Sequence, residues 1–209
     1  MWGSWEDGAA ISRVDLTLAD GKVLHIISRG GPDGSIMTAI DDAPLTAISA
    51  EDRFKPLAPG FVFTPFELQT SFIYWTDYVY EGTEKLLGRP AHYFILYPPE
   101  NTYTQDIAGT RVAVDADFEV LMRAEELDSS GDEIKTFRIN SFKEVDNQWI
   151  VKEIDLVDDR TRDRTRFRVT EAHVGLTLSK SLFDMEEGNP VSPSYKKVHY
   201  NDMEAGNDQ

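Results

Sequence analysis

The sequence predicts a mainly β protein of the α+β class, built on an antiparallel meander with one apolar face. Two observations support this prediction. Between Lys85 and Thr170 the chain repeats an alternating run, a polar turn and another alternating run. The segments that join these runs include no helix, whereas a parallel crossover needs roughly a dozen residues or more. The strands are therefore expected to pair in sequence order.

Three runs of strand-forming residues come first along the chain, at Val14–Leu18, Val23–Ile27 and Ser35–Ile40. Asp20-Gly21 is a strong signal for a two-residue hairpin turn between the first two runs. The segment GGPDG at 30–34 provides the next reversal. We expect three strands before the alternating pattern breaks.

The pattern breaks between Asp41 and Trp75, where prolines interrupt the chain and ISAEDRF and TPFELQTSFIYW suit short helices. Thr64 is a candidate N-cap, with Pro65 at the first helical position and Glu67 three residues after the cap. This segment interrupts the meander and is predicted to cover it.

Strand character resumes at Tyr78–Leu87, and the turn Gly88-Arg89-Pro90 follows. The later strands are predicted at His92–Tyr97, Arg111–Val114, Glu119–Leu127, Glu133–Phe142, Trp149–Val157 and Thr165–Val169. The turns DSSGD, EVDNQ and DDRTRDR contain Asp, Asn, Ser and Gly, which reverse a chain tightly. After one more short helix at LSKSLFDM, residues 186–209 are predicted to be a flexible tail, which leaves residues 1–185 as one domain.

Alternation also predicts which side of the sheet is apolar. Phe137 and Ile139 share one face, and Thr136, Arg138 and Asn140 share the other. A sheet with one apolar face must bury that face against another layer, by closing on itself, or against a ligand. The richest apolar segment left for this task is FVFTPFELQTSFIYW, at 61–75.

Composition excludes several functions. The net charge of −16 disfavours nucleic acid or an anionic membrane surface as an electrostatic partner. Cysteine is absent from the sequence, which excludes disulfides, thiolate zinc sites and a cysteine nucleophile. No stretch approaches the roughly 18 consecutive apolar residues of a membrane span. The first residues, MWGSWEDGAA, lack the features of a signal peptide, so any export signal is expected to have been removed.

Three stretches resemble the outer-membrane lipoprotein-sorting proteins, the LolA-like superfamily: GRPAHYFILYPP, then VAVDADFEVLMRAEELDSSGDEIKTFRI, then VDNQWIVKEIDLVDDRTRDRTRFRV. The resemblance covers about Leu57 to Phe183 and is a pattern of positions rather than a catalytic signature. The long N-terminal helix of the family is not seen. The family's arginine between strand and lid has only weak counterparts in Arg13 and Arg29.

The resemblance implies an open antiparallel half-barrel of about 10–11 strands, whose concave apolar face is capped by short helices. It implies a periplasmic carrier or sensor that binds the acyl chain of a lipoprotein or another lipid, without a cofactor or catalysis. The residues expected to line the cavity and its lid are Phe61, Phe63, Phe66, Leu68, Phe72, Trp75, Phe94, Leu96, Phe137, Ile139, Ile150 and Ile154.

Other sites are poorly supported. The four histidines show no metal-ligand spacing, and Gly131 stands at the wrong position for a calcium loop that begins at Asp128. No G-x-S-x-G motif is present, so no hydrolase elbow can be assigned. The aromatic group in 61–75 could equally pack a solid core or cap a ligand. The alternative function is therefore an envelope interaction or scaffold module with a solid core and an acidic exterior.

Overall fold

The computed structural model describes residues 1–6, 8–32, 34–100 and 102–184 of the chain. Across these residues it contains two antiparallel sheets, one of five strands and one of seven, each with its strands in sequence order. Because both orders are linear, neither sheet closes into a barrel. The mainly β, open antiparallel fold class is confirmed. The predicted tail at 186–209 lies outside the described residues.

The chain divides into two compact units. The first unit contains Met1–Gly60, Thr64–Tyr74 and the described residues from Thr177 onward, and the second contains Phe61–Phe63 and Trp75–Leu176. The prediction of a single domain over 1–185 stays a prediction. Among the described residues, no helix has both the length and the apolar character needed to cross a membrane.

The five-stranded sheet of the first unit confirms the three predicted N-terminal strands and adds a short one on each side. Its strands are β1 (Trp2–Glu6), β2 (Ala9–Thr17), β3 (Val23–Arg29), β4 (Ser35–Ile40) and β5 (Thr46–Ala47). Gly21 has a φ of 86°, and its N–H donates to the Leu18 carbonyl at 3.0 Å. The predicted Asp20-Gly21 hairpin is therefore present.

One hydrophobic core cluster of the first unit lies between this sheet and the short helix α1 (Pro65–Gln69). The buried side chains of this core come from β2, β3 and β4, and they are Val14, Leu24, Ile26 and Ile36. Partly buried side chains from the following segment and from α1 pack against them, among them Ile48, Leu57 and Leu68.

Two sets of hydrogen bonds hold α1 in place. The predicted capping box is present, since the Thr64 N–H donates to Glu67 Oε2 at 2.6 Å. Gln69 Nε2 donates to the carbonyls of Arg29 and Ser35, which fastens α1 to the ends of β3 and β4. Short 3-10 turns lie at Asp52–Phe54, Ser71–Tyr74 and Lys180–Phe183.

The seven-stranded sheet of the second unit is the predicted meander. Its strands are β6 (Asp77–Leu86), β7 (Arg89–Tyr97), β8 (Gly109–Asp115), β9 (Leu121–Leu127), β10 (Glu133–Val145), β11 (Gln148–Asp158) and β12 (Arg164–Arg168). β6 and β12 are the edge strands. In the DSSGD turn, the Asp128 carboxylate accepts the N–H groups of Ser130 and Asp132, at 2.8 and 3.0 Å. These bonds are those of a hairpin turn.

Candidate apolar ligand-binding face

One side of the seven-stranded sheet is a continuous apolar surface. Residues that pair directly across an antiparallel sheet project to the same side. A single row of such pairs crosses six strands through Tyr80, Phe94, Val112, Ala124, Phe137 and Leu156. The next pair on β10 and β11 joins Ile139 to Ile154, and Phe167 on β12 pairs with Ile154. We call this side the apolar face.

The apolar face ends in polar side chains where a second row runs through Leu96, Thr110, Glu126 and Lys135. Thr110 is fully buried, and its hydroxyl has no hydrogen-bond partner among the described residues. Glu126 is buried as well. The border of the apolar face near the start of β8 therefore contains buried polar groups.

The solvent exposure of the side chains changes along the row that crosses the apolar face. Val112, Ala124 and Leu156 in the middle of the sheet are buried, and Phe94, Leu96, Ile150 and Ile154 are half-buried. At the β6 edge, Tyr78 is 58% exposed and Tyr80 50% exposed. The apolar face is therefore covered in its centre and open to solvent at β6.

Four rings form a cluster at this open edge. The ring of Phe94 lies 5.9 Å from Tyr78 in an edge-to-face arrangement and 5.1 Å from Tyr80, and the imidazole of His92 lies 5.8 Å from Tyr80. The hydroxyls of Tyr80 and Thr83 each lie 3.0 Å from His92 Nδ1. Such offset and edge-to-face contacts hold aromatic rings in a defined arrangement, so this edge presents an ordered aromatic surface with hydroxyl groups at its border.

The opposite side of the sheet is charged, and we call it the charged face. Arg111 Nε donates to Glu81 Oε2 at 2.7 Å, Arg166 Nε to Asp155 Oδ1 at 2.7 Å, and Arg168 Nε to Glu153 Oε2 at 2.8 Å. The buried carboxylate of Glu125 pairs with Arg123 and, at 3.7 Å, with Arg111. Opposite charges thus compensate one another across this face, within β9, between neighbouring strands and, for Arg111 and Glu81, across β7.

These pairs shift the acidity of the carboxyl groups. Hydrogen bonds from Arg166 hold the pKa of Asp155 below its ordinary value, and those from Arg168 do the same for Glu153. The pKa of Glu125 is raised, because burial penalises its charged form more than the nearby arginines favour it. No group of three or more His, Cys, Asp or Glu side chains in the described part of the chain is placed to hold a metal ion. That no cofactor is needed stays a prediction.

The predicted site residues fall into two sets. Phe94, Leu96, Phe137, Ile139 and Ile154 lie together on the apolar face, and Ile150 follows them on the same side of β11. Beside them, the Val62 N–H donates to Thr165 Oγ1 at 2.8 Å, and Thr165 pairs with Leu156. The half-buried rings of Phe61 and Phe63 therefore flank a residue that is fixed at the β12 end of this face.

The second set belongs to the first unit. The ring of Phe66 lies 5.0 Å from Phe54 and 6.0 Å from Phe72, and Leu68 packs against the core under the five-stranded sheet. Trp75 is the exception in this set, because it is half-buried and lies in the second unit, at the start of the Trp75–Leu176 segment. The role of α1 as a lid over the ligand stays a prediction.

Comparison with known proteins gives a family. A family model described as an uncharacterized protein matches residues 51–187, which is more than half of the 209 residues. The chain belongs to this family. No protein with a curated description matches the sequence.

Three solved structures share the fold of this chain. A DUF1329 family protein from Desulfovibrio piger has a TM-score of 0.66 at 18% identity, over 87% of this chain and 78% of its own. An outer membrane lipoprotein-sorting protein domain from Vibrio parahaemolyticus has a TM-score of 0.66 at 15% identity, over 84% and 81%. A LolA superfamily protein from Nitrosomonas europaea has a TM-score of 0.52 at 15% identity, over 76% and 68%. The resemblance to the LolA-like superfamily is confirmed at the level of the fold.

Part of the apolar face was not predicted from the sequence. Tyr78, Tyr80 and His92 were not expected to take part in it, although tyrosines two residues apart in a strand predict two rings on one side. Val112 and Ala124 were missed as well, because short side chains in RVAV and MRAE give a weak apolar signal. Only the pairing register brings these residues into one row.

Proposed function

We propose that the apolar face of the seven-stranded sheet binds the acyl chain of a lipid or lipoprotein, and that the protein is a non-enzymatic periplasmic carrier or sensor. The observation that carries this proposal is the row of apolar side chains across six strands, open at β6 and buried further in. An acyl chain needs such a long apolar surface and little directional bonding.

The energetics favour an acyl ligand. Burying one methylene group contributes about 0.8 kcal/mol, so a chain of more than ten carbons supplies on the order of 10 kcal/mol before the costs of binding. The row from Phe94 to Leu156 spans β7 to β11, and adjacent strands lie about 4.8 Å apart. The row is therefore roughly 19 Å long, and it runs from the half-buried Phe94 to the buried Leu156.

The polar groups around the face support binding rather than catalysis. The aromatic cluster at β6 offers hydroxyl groups and an imidazole where the head of an amphiphile would lie, next to Phe94. On the other side of the sheet, carboxylates and guanidinium groups are engaged with one another. These pairs serve the stability of the sheet.

One structural neighbour is an outer membrane lipoprotein-sorting protein domain, which supports a place in the cell envelope and a lipoprotein as the source of the acyl chain. Since that likeness is one of fold, the ligand class rests on the apolar face itself. A protein partner in the cell envelope would deliver or receive the lipid.

The test is displacement of a fluorescent fatty acid by palmitate, with two variants on neighbouring residues of β7. Phe94→Ala removes a half-buried ring from the apolar face, and Ile95→Ala removes a half-buried side chain from the opposite side. We expect Phe94→Ala to weaken binding about tenfold, since a lost contact of about 1.4 kcal/mol has that effect. Ile95→Ala should bind as the native protein does.

A second candidate function is supported by the burial of Val112, Ala124 and Leu156, which fits a core with no room for a ligand. The protein would then be an interaction or scaffold module that presents its acidic exterior to a basic partner. Native mass spectrometry of the protein as isolated separates the two. Retained lipid supports the carrier, whereas bare polypeptide together with no palmitate uptake supports the scaffold.

A further inference from the structure

Three turns of the seven-stranded sheet meet at one end. Because the strands run antiparallel in sequence order, the β6–β7, β8–β9 and β10–β11 connections all lie at the same end of the sheet. The connections at the opposite end are β7–β8, β9–β10 and β11–β12. We call the first set the hairpin tips.

Each hairpin tip exposes one large apolar side chain. Leu87 in the β6–β7 turn is 70% exposed, Phe118 in the β8–β9 turn 63%, and Trp149 beside the β10–β11 turn 66%. At the other end, the two tight turns have the sequences DSSGD and DRTRD, and the longer β7–β8 connection exposes Tyr103. The exposed apolar residues of the tight turns are thus concentrated at one end of the sheet.

The tips are held in shape by local interactions. Leu87 and Asn147 have left-handed backbone angles, with φ of 52° and 60°, as tight hairpins require. Asp115 Oδ1 accepts the N–H groups of Asp117 and Phe118, both at 3.0 Å. Arg89 binds the same carboxylate and lies over the Phe118 ring at 4.7 Å. Phe118 is therefore presented outward on a braced loop.

The spacing of the hairpin tips fits contact with a lipid bilayer better than contact with a protein. Successive tips are two strands apart, which is about 10 Å, so the three side chains lie along a line of about 20 Å. Residues without apolar side chains, such as Gly88, Asp117 and Asp146, lie between them. A stable protein interface needs a contiguous, closely packed core, whereas separate apolar side chains can each enter the interfacial region of a bilayer, where Trp is especially favoured.

The charges near the hairpin tips indicate how these tips would interact with lipid headgroups. Arg89 is engaged by Asp115 and Asp117, and acidic Glu119 and Asp146 lie in the turns themselves. This end therefore offers little electrostatic attraction to anionic lipid. We propose that the hairpin tips insert Leu87, Phe118 and Trp149 into the interface of a lipid bilayer, and that apolar insertion rather than charge provides the attachment.

This attachment goes beyond the acyl-binding proposal and is tested separately from it. The probe is co-sedimentation of the whole protein with phosphatidylcholine vesicles. The variant Leu87→Ser/Phe118→Ser/Trp149→Ser is compared with Trp5→Ser and Tyr103→Ser, which change exposed aromatic residues elsewhere. We expect the triple variant to lose at least about tenfold in partitioning, because three apolar side chains are removed from the interface. The two controls should partition as the native protein does.

Quenching by lipids with brominated acyl chains gives a second readout that needs only single, mild changes. Quenching of tryptophan emission should persist in Trp5→Phe and be lost or strongly reduced in Trp149→Phe. Equal quenching in both variants, no vesicle binding by the native protein, or binding that requires anionic lipid and disappears in salt would each overturn the proposal. Phe94→Ala should keep vesicle binding while its palmitate binding weakens about tenfold, which distinguishes failure of this proposal from failure of the acyl-binding one.

Discussion

The two faces of the seven-stranded sheet use the same backbone for different purposes. On one side, Phe94, Val112, Ala124, Phe137 and Leu156 form an apolar row, and on the other, Arg111, Glu125, Asp155 and Arg166 compensate one another's charge. Successive residues of a strand point to opposite sides. A change of one position along a strand therefore moves a substitution from the proposed ligand surface to the ion-pair network, and this provides matched controls.

The largest expected effect comes from the buried centre of the apolar face. Leu156→Ala should lower the free energy of unfolding by about 2–5 kcal/mol, since it leaves a cavity among packed side chains. The control is Val157→Ala, because Val157 is half-buried and pairs with Thr136 and Arg164 on the charged face. Urea denaturation of both variants measures the difference. Equal losses would show that the two faces are packed alike.

Two buried threonines sharpen the comparison, because the same substitution should lower the free energy of unfolding at one position and not at the other. Thr136 and Thr110 are both fully buried. The Thr136 hydroxyl donates to Asp159 Oδ2 at 2.6 Å, whereas the Thr110 hydroxyl has no partner among the described residues. Thr136→Val should cost about 1 kcal/mol, and Thr110→Val should be neutral or stabilise by up to about 1 kcal/mol. Destabilisation of similar size in both variants, measured by urea denaturation, would contradict this description of the two sites.

A smaller expected effect is the dependence of stability on pH, which should come from the charged face. Asp155 and Glu153 have depressed pKa values in the folded protein, so their stabilising contribution is present above the pKa of the unfolded chain and is lost as the pH falls through the folded values. Stability should therefore decline below the ordinary carboxylate range, near pH 4. Asp155→Asn should show a shallower decline in thermal unfolding followed by circular dichroism. If stability fell as steeply with pH in Asp155→Asn as in the native protein, the ion pairs of the charged face would not be the cause of the decline.

Much of the fold could be predicted from the sequence, and the reasons are visible in particular residues. The strands β6 to β12 were predicted because alternation and Asp- and Gly-rich turns are local signals, as in DSSGD. The strands β1 and β5 were missed, since WGSWE carries a weak apolar alternation and Thr46–Ala47 is only two residues long. The capping box at Thr64 and Glu67 was predicted because it depends on residues three positions apart.

The candidate site was less accessible to sequence reasoning. Alternation placed Phe137, Ile139 and Ile154 on one side, and the pairing register then brought Tyr80, Val112 and Ala124 into the same row. Which sheet α1 covers depends on contacts between residues far apart in sequence, such as the packing of Leu68 against the cluster of Val14, Leu24, Ile26 and Ile36. Long-range packing of this kind leaves no local signal.

The most direct test of the acyl-binding face is methyl NMR of the isoleucines during a palmitate titration. Ile139 and Ile154 lie on the apolar face, and Ile95 lies on the opposite side of the same sheet. The proposal predicts saturable shifts of the Ile139 and Ile154 methyl signals with little change at Ile95. Shifts at Ile95 alone, or an unchanged spectrum at saturating palmitate, would contradict it.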